Sequence, residues 1–168
     1  LHYHKNILNQ CADKWAVRDY IKSKGLNSIL NDVYGVYDNF DDISFEALPS
    51  KFVIKTTNGS GMNIFCKDKQ KFNIVDAKER IKYWLSIDMY VLGREWCYKG
   101  IKRKIMVEKF LEDKNNDFDG LNDYKILCFN GRARYVWVDV DRHTSHKRNF
   151  YDLDWKYIDV ESDHPNFG

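Results

Sequence analysis

Lys55 closes the run Phe52-Val53-Ile54-Lys55-Thr56, whose other members are apolar or β-branched, so its ammonium emerges at the rim of a buried strand. A buried charge without a partner costs several kcal/mol, which calls for an anion beside it. The alternative is an edge lysine whose stem lies along the strand while its head reaches water. Thr57-Asn58-Gly59-Ser60-Gly61 follows at once. Its two glycines let backbone approach a ligand closely, and successive N–H groups can form a nest for an anion. Asn-Gly is equally the best hairpin dipeptide, so a turn is required and a phosphate cover is the added reading. Lys14 stands in the first turn of a helix, where a cation opposes the helix dipole, so helix stability does not account for it. Helix N-termini attract phosphate and a lysine there would reinforce such a site, although a solvated lysine is the commoner outcome.

A second set of candidates is more open. Val107-Glu108-Lys109-Phe110-Leu111 is an apolar strand carrying a carboxylate and an ammonium, and it enters the acidic, Asn-rich stretch from Glu112 to Gly120. A strand joining two lobes could offer backbone groups to an adenine edge, with Glu108 accepting from its amino group. An internal ion pair or a solvent-facing alternation explains the same residues. His143 and His146 have metal-ligand spacing only on a helix, and no third ligand is close in sequence. Asp139 and Asp141 share one face of a strand end and could hold Mg²⁺, with solvation equally open. The patterns G-x-x-x-x-G-K-[ST] and G-x-G-x-x-G are both absent, and no Ser-His-Asp or Cys-His arrangement follows from spacing.

The elements that must position these residues follow from periodicity and turn chemistry. Asp13 to Lys24 reads as a helix capped by Asp13, with Val17, Tyr20 and Ile21 as its apolar stripe and Gly25 past its end. An Asn- and Asp-rich loop follows, interrupted by Val33-Tyr34-Gly35-Val36-Tyr37. The strand at Phe52 leads through the glycine turn into a second strand, Met62 to Cys66. Asp76 with Glu79 makes a capping-box-like helix start, with Ala77, Ile81, Trp84 and Leu85 on the apolar face. Lys104 to Phe110, Tyr124 to Phe129 and Arg132 to Val140 read as strands, the last two joined by Asn130-Gly131. Phe150 to Val160 reads as a further strand pair. The class is α+β with two lobes.

Composition bounds the reading. The 168 residues carry 27 Lys plus Arg against 25 Asp plus Glu, a formal net charge of +2 that argues against a dedicated nucleic-acid binder. Local basic clusters, Lys99 to Lys104 and His146 to Arg148, read as solvated faces or as a phosphate site. Cys11, Cys66, Cys97 and Cys128 form no C-x-x-C pair, so zinc and thioredoxin-type signatures are absent and reduced thiols in the cytosol are expected. No run approaches the ~20 apolar residues a membrane helix needs. The chain begins with Leu1 and ends at Gly168 without an obvious stop, which reads as a piece of something longer.

The order of signals, Asp13-Lys14 opening a helix, Lys55 before a Gly-Ser-Gly turn, then Glu108 to Leu111, resembles the ATP-grasp superfamily. More narrowly, Ala12 to Arg18, Lys55 to Asn63, Gly93 to Trp96, Asp123 to Lys125 with Cys128 to Gly131, and above all His146 to Trp155 resemble TupA-like ATP-grasp proteins over nearly the whole chain. That resemblance implies two small α+β lobes with an ATP cleft between them, residues 1–103 forming the N-terminal lobe and 104–168 the connecting strand and an incomplete C-terminal lobe. It implies that Lys14 and Lys55 hold the phosphates and Asn58, Gly59, Ser60 and Gly61 close over them. Glu108 meets the adenine amino group, Lys109, Phe110 and Leu111 supply the connecting-strand contacts, and Asp123 binds the ribose. Lys147 or Arg148 reaches the γ-phosphate or the acceptor. Two departures stand out: Asn58 replaces an expected His in the glycine string, and the Asp and Glu that bind Mg²⁺ are expected beyond Gly168, which would leave this piece inactive alone. The implied reaction is ATP-dependent joining of a carboxylate to an amine, a uronic-acid polymer with an amino acid or peptide, in teichuronopeptide or capsular polysaccharide assembly. The implied location is the cytoplasm, at large or against the inner face of the membrane. A capsular-polysaccharide glycosyltransferase and a non-enzymatic polyanion-binding module using Lys99 to Lys104 are the rival readings.

Overall fold

The computed structural model describes residues 4–113, 120–142 and 144–167. The chain divides into two compact units, Leu1–Phe110 and Leu111–Gly168, each with its own four-stranded antiparallel sheet. The division falls after the strand Ile105–Lys109 and not before it, because that strand pairs on both sides within the first sheet.

The first unit starts with α1 (Asn6–Ala12), which has no side-chain cap and no charged first or last turn, and which periodicity does not reveal. Helix α2 (Ala16–Ser23) is shorter than the expected 13–24, but Asp13 does cap it. Its Oδ1 accepts from the backbone N–H of Trp15 at 2.8 Å and of Ala16 at 3.1 Å. Gly25 ends it at φ 74°, with its N–H on Lys22 O and the next N–H on Ile21 O.

Then come β1 (Val33–Tyr37), β2 (Phe52–Thr56), β3 (Asn63–Cys66), α3 (Ile74–Ser86), α4 (Met89–Gly93) and β4 (Ile105–Lys109), with sheet order β1-β4-β2-β3. Val33 to Tyr37, expected only as an interruption of a loop, is the edge strand beside β4. Period-two alternation decides the two faces. Phe52, Ile54, Ile64, Cys66, Ile105 and Val107 turn to one side and bury against Ala77 and Ile81 of α3, with Trp84 and Leu85 beside them. Each such side chain contributes roughly 1.5–3 kcal/mol. Helix α3 begins two residues earlier than Asp76, because Asn73 caps it by accepting from the Asp76 N–H at 3.1 Å.

The second unit contains β5 (Asp123–Phe129), β6 (Arg132–Val140), β7 (Lys147–Asp152) and β8 (Tyr157–Ile158) in sequential order. Asn130 and Gly131, at φ 50° and 74°, form the expected two-residue turn. Val136, Val138 and Val140 line one face of this sheet, and Phe167 packs against them. No helix among the described residues is long and apolar enough to cross a membrane.

Candidate functional site

The face of the first sheet turned away from α3 carries the polar residues. Register places Val53 opposite Glu108 and Lys55 opposite Met106, which makes Lys55 and Glu108 diagonal neighbours on one side of the sheet. Lys55 Nζ pairs with Glu108 Oε1. Both side chains are largely enclosed, at 24% and 10% exposure. The anionic partner that a rim lysine calls for is therefore Glu108, far away in sequence. On the other flank, Asn63 is the register partner of Lys55.

Lys14 reaches the same place from the junction of α1 and α2. Its backbone N–H donates to Thr57 O at 2.9 Å. Its ammonium donates to the carbonyls of Gly59 at 2.7 Å, Thr56 at 3.1 Å and Asn58 at 3.5 Å. Burial first, and then the neighbouring Lys55 ammonium, push its pKa down to about 8, although Asp13 and Glu108 pull the other way. The Lys55 ammonium is near enough to act on that of Lys14, which is held by hairpin carbonyl oxygens without full charge compensation.

The hairpin itself is fastened at its base. Thr57, Asn58 and Gly59 are buried while Ser60 and Gly61 are exposed. The Thr57 N–H donates to Lys104 O at 2.9 Å, and Thr56 Oγ1 donates to Asn58 O at 3.2 Å. Gly59 is at φ 75°, and a Cβ there would meet Met89 Cγ at 3.0 Å. Asn58 Oδ1 and Asn63 Oδ1 are both buried without a hydrogen-bond partner. A buried acceptor left unmet costs on the order of 1–3 kcal/mol, so two in one hairpin mark a place that a ligand's donors could complete. Asn63 was not singled out in the sequence; pairing the hairpin by period two puts it opposite Lys55 and would have found it.

The connecting-strand residues are placed differently. The Lys109 N–H donates to Asp32 O at 2.9 Å, its carbonyl accepts from Asn31 Nδ2 at 2.9 Å, and its ammonium pairs with Asp32 at 3.0 Å. Both backbone groups of Lys109 therefore have partners inside the unit. Phe110 packs edge-on against Phe65, and Leu111 is exposed.

In the second unit, Asp139 is buried to 1% exposure beside Arg148, its register partner. Oδ1 accepts from Arg148 Nε at 2.7 Å and lies 2.9 Å from His146 Nε2. Oδ2 accepts from Lys125 Nζ at 2.6 Å and Trp137 Nε1 at 2.9 Å. Burial opposes the carboxylate charge, yet the hydrogen bonds from Arg148, Lys125 and Trp137 outweigh it and hold this carboxyl far below the usual range. Asp123 accepts from Lys125 and from Arg142, each at 2.5 Å, and Arg148 also reaches Asp163 at 2.6 Å. Asp123 and Arg148, expected at the ribose and the γ-phosphate, are thus members of one internal network. Lys147 lies on the opposite face from Arg148, with Val140 as its register partner.

The metal readings find no support in this arrangement. Asp139 is saturated by cationic and N–H donors, which leaves no oxygen lone pair for Mg²⁺ in company with Asp141. His143 lies outside the described residues, as does the stretch 114–119 of the acidic loop. Among the described residues, no three or more His, Cys, Asp or Glu side chains are grouped to hold a metal ion. The basic cluster is likewise engaged: Lys102 and Lys104 pair with Asp38 at 3.1 and 3.5 Å, Arg103 donates to Ile87 O at 3.0 Å, and Lys99 stands over the Trp96 ring. Cys66 is buried, whereas Cys11 and Cys128 are exposed, and all four thiols are free.

Lys14, Lys55, the fastened glycine hairpin and Glu108 are the residues on which the resemblance to ATP-grasp proteins rests. A family model, TupA-like ATPgrasp, matches residues 2–166, and the chain belongs to the TupA-like ATP-grasp family. No curated protein and no solved structure matches it.

Proposed function

We propose that this chain carries the nucleotide site of an ATP-dependent carboxylate–amine ligase. The observation that supports the reading most is the under-compensated Lys14 ammonium, held close to Lys55 beneath the buried base of the glycine hairpin. An anion arriving there would relieve the repulsion between the two cations, and a triphosphate supplies several charges at once. In the proposed reaction a carboxylate oxygen attacks the γ-phosphorus, the bond to the β–γ bridging oxygen breaks, and ADP departs. The amine nitrogen then attacks the acyl carbon of the acyl phosphate, inorganic phosphate leaves, the nitrogen gives up a proton, and an amide remains.

The chain's own residues would act by position and charge. Lys55 and Lys14 neutralise the phosphates, and the N–H groups from Asn58 to Gly61 cover them. Glu108 accepts from the adenine amino group, with Phe110 and Leu111 continuing along the base edge. Lys147 is the residue of the second unit assigned to an anionic acceptor. Mg²⁺, which this family generally uses with ATP, offsets phosphate charge when bound; the described residues supply no ligand set for it, and none is assigned. The substrates proposed for joining are a uronic-acid polymer and an amino acid or peptide, in cytoplasmic assembly of cell-surface polysaccharide.

Isothermal titration with a non-hydrolysable ATP analogue tests this. The wild-type chain binds it, and Lys55→Ala and Lys14→Ala each weaken binding by one to two orders of magnitude, about 1.5–3 kcal/mol for a lost hydrogen bond to a charged group. Unchanged affinity in both variants would refute the site. Consumption of a nucleotide-sugar without release of ADP and phosphate would favour the glycosyltransferase instead.

A further inference from the structure

The two side chains assigned to opposite ends of the nucleotide, Lys55 at the phosphates and Glu108 at the base, are bound to each other in the free protein. Building on the nucleotide reading above, we propose that this ion pair is an internal lock: the phosphate half and the base half of the ligand bind cooperatively, because each alone strands one member of a buried pair.

The argument is one of charge replacement. Lys55 and Glu108 are both mostly enclosed, and an enclosed charge that loses its partner is far less stable than a paired one. A polyphosphate without a base recruits Lys55 and leaves Glu108 uncompensated. A nucleoside without phosphates recruits Glu108 through its exocyclic amino group and leaves Lys55 uncompensated. Only a ligand carrying both an N–H donor and an anion replaces the pair on both sides. Lys14 feels the charge of Glu108, but its ammonium donates to the carbonyls of Thr56, Asn58 and Gly59, so it offsets a bared Glu108 only in part. A second observation points the same way. Asn63 Oδ1, one strand across from Lys55 on the same face, and Asn58 Oδ1 in the turn are buried acceptors without partners. The Lys55–Glu108 pair is therefore matched in charge while acceptors near it lack hydrogen bonds, as a resting state that exchanges partners on binding would be.

The test is titration of inorganic tripolyphosphate into the 168-residue chain, with and without saturating adenosine. An opposite charge at this range shifts a neighbour's ionic equilibrium by one unit or more, so adenosine is expected to tighten tripolyphosphate about tenfold. Glu108→Gln is expected to tighten tripolyphosphate by a similar factor and to abolish the effect of adenosine. The wild-type measurement stands by itself should the variant fail to fold, which its circular dichroism would reveal. Independent binding of adenosine and tripolyphosphate, or weaker tripolyphosphate binding by folded Glu108→Gln, overturns the lock while ATP still binds. Failure of both ATP and tripolyphosphate to bind overturns the nucleotide reading along with it.

Discussion

Each sheet of this protein carries a cluster of opposite charges on neighbouring register positions, and the two clusters are finished to different degrees. In the second unit, the single carboxylate of Asp139 receives Arg148, Lys125 and the Trp137 indole, and Arg148 stacks 4.0 Å over the Trp137 ring and bonds Asp163 as well. In the first unit, Lys55 and Glu108 have each other, Lys14 has only carbonyl oxygens, and two asparagine oxygens have nothing. The same residue types therefore serve two ends. A buried carboxylate met on both oxygens by cationic and N–H donors is structure, whereas a depressed ammonium beside unmet acceptors is a place for something else. Residue type alone does not separate them: Arg148 and Asp123 look as available in the sequence as Lys14 does.

The largest effect expected from this contrast falls on the saturated cluster. Asp139→Asn keeps the shape but removes the buried charge that faces both Arg148 and Lys125, leaving Arg148 only Asp163, and should cost about 3 kcal/mol of stability. Urea unfolding followed by tryptophan fluorescence measures it, since Trp137 belongs to the network. A loss below about 1 kcal/mol would break the comparison, because the second cluster would then be as unfinished as the first.

Much of this architecture was readable in advance, and the rest was hidden for identifiable reasons. Asn130-Gly131 marked the β5–β6 hairpin because only a few dipeptides accept two consecutive positive φ angles. Asp13 and Gly25 marked the ends of α2 by the same kind of local stereochemistry. The apolar face of α3 was legible from its period, but its start was not, since Asn73 and Asp76 are both good caps and period says nothing about which one is used. Strand β1 was obscured because its partner β4 is distant in sequence and no local signal reports that pairing. The site shows the same division. Lys55 and the glycine turn were legible locally, whereas the Lys55–Glu108 pair, the Asp139 network and the unmet Asn63 oxygen exist only through register between strands.

A middle-sized effect asks whether the first site is preformed, as the second is, despite its open charges. Gly59 needs φ 75° and has Met89 Cγ 3.0 Å and Met62 Sδ 3.3 Å from where a Cβ would lie, whereas Gly61 needs φ 73° with nothing within 4 Å. Gly59→Ala should thus cost about 2 kcal/mol, from left-handed strain plus overpacking, and Gly61→Ala about 1 kcal/mol from strain alone. Thermal unfolding of the two variants gives the difference. Equal losses would mean that the methionine wall gives way freely and that the hairpin base is not held rigidly.

The smallest effect is a pH dependence whose sign differs between binding and folding. Lys14 titrates at about 8 in the folded chain against an ordinary value near 10.5, so between those values the unfolded chain binds more protons and this group makes stability rise with pH. A bound phosphate reverses the preference, because it favours the charged ammonium. Below about pH 8 the ammonium is already protonated and nucleotide affinity should be flat. Above it, binding must take up a proton, and affinity should fall by at most tenfold per pH unit, about 1.4 kcal/mol. Asp139 adds nothing in that window, since its carboxyl is held far below the usual carboxylate range and its stabilisation is lost only in strong acid. Titrating an ATP analogue from about pH 7 to pH 9.5, beside chemical denaturation over the same range, resolves the two slopes. Opposite signs assign the transition to an ammonium facing the nucleotide, whereas affinity that holds level through the window would return Lys14 to a purely structural part in the hairpin.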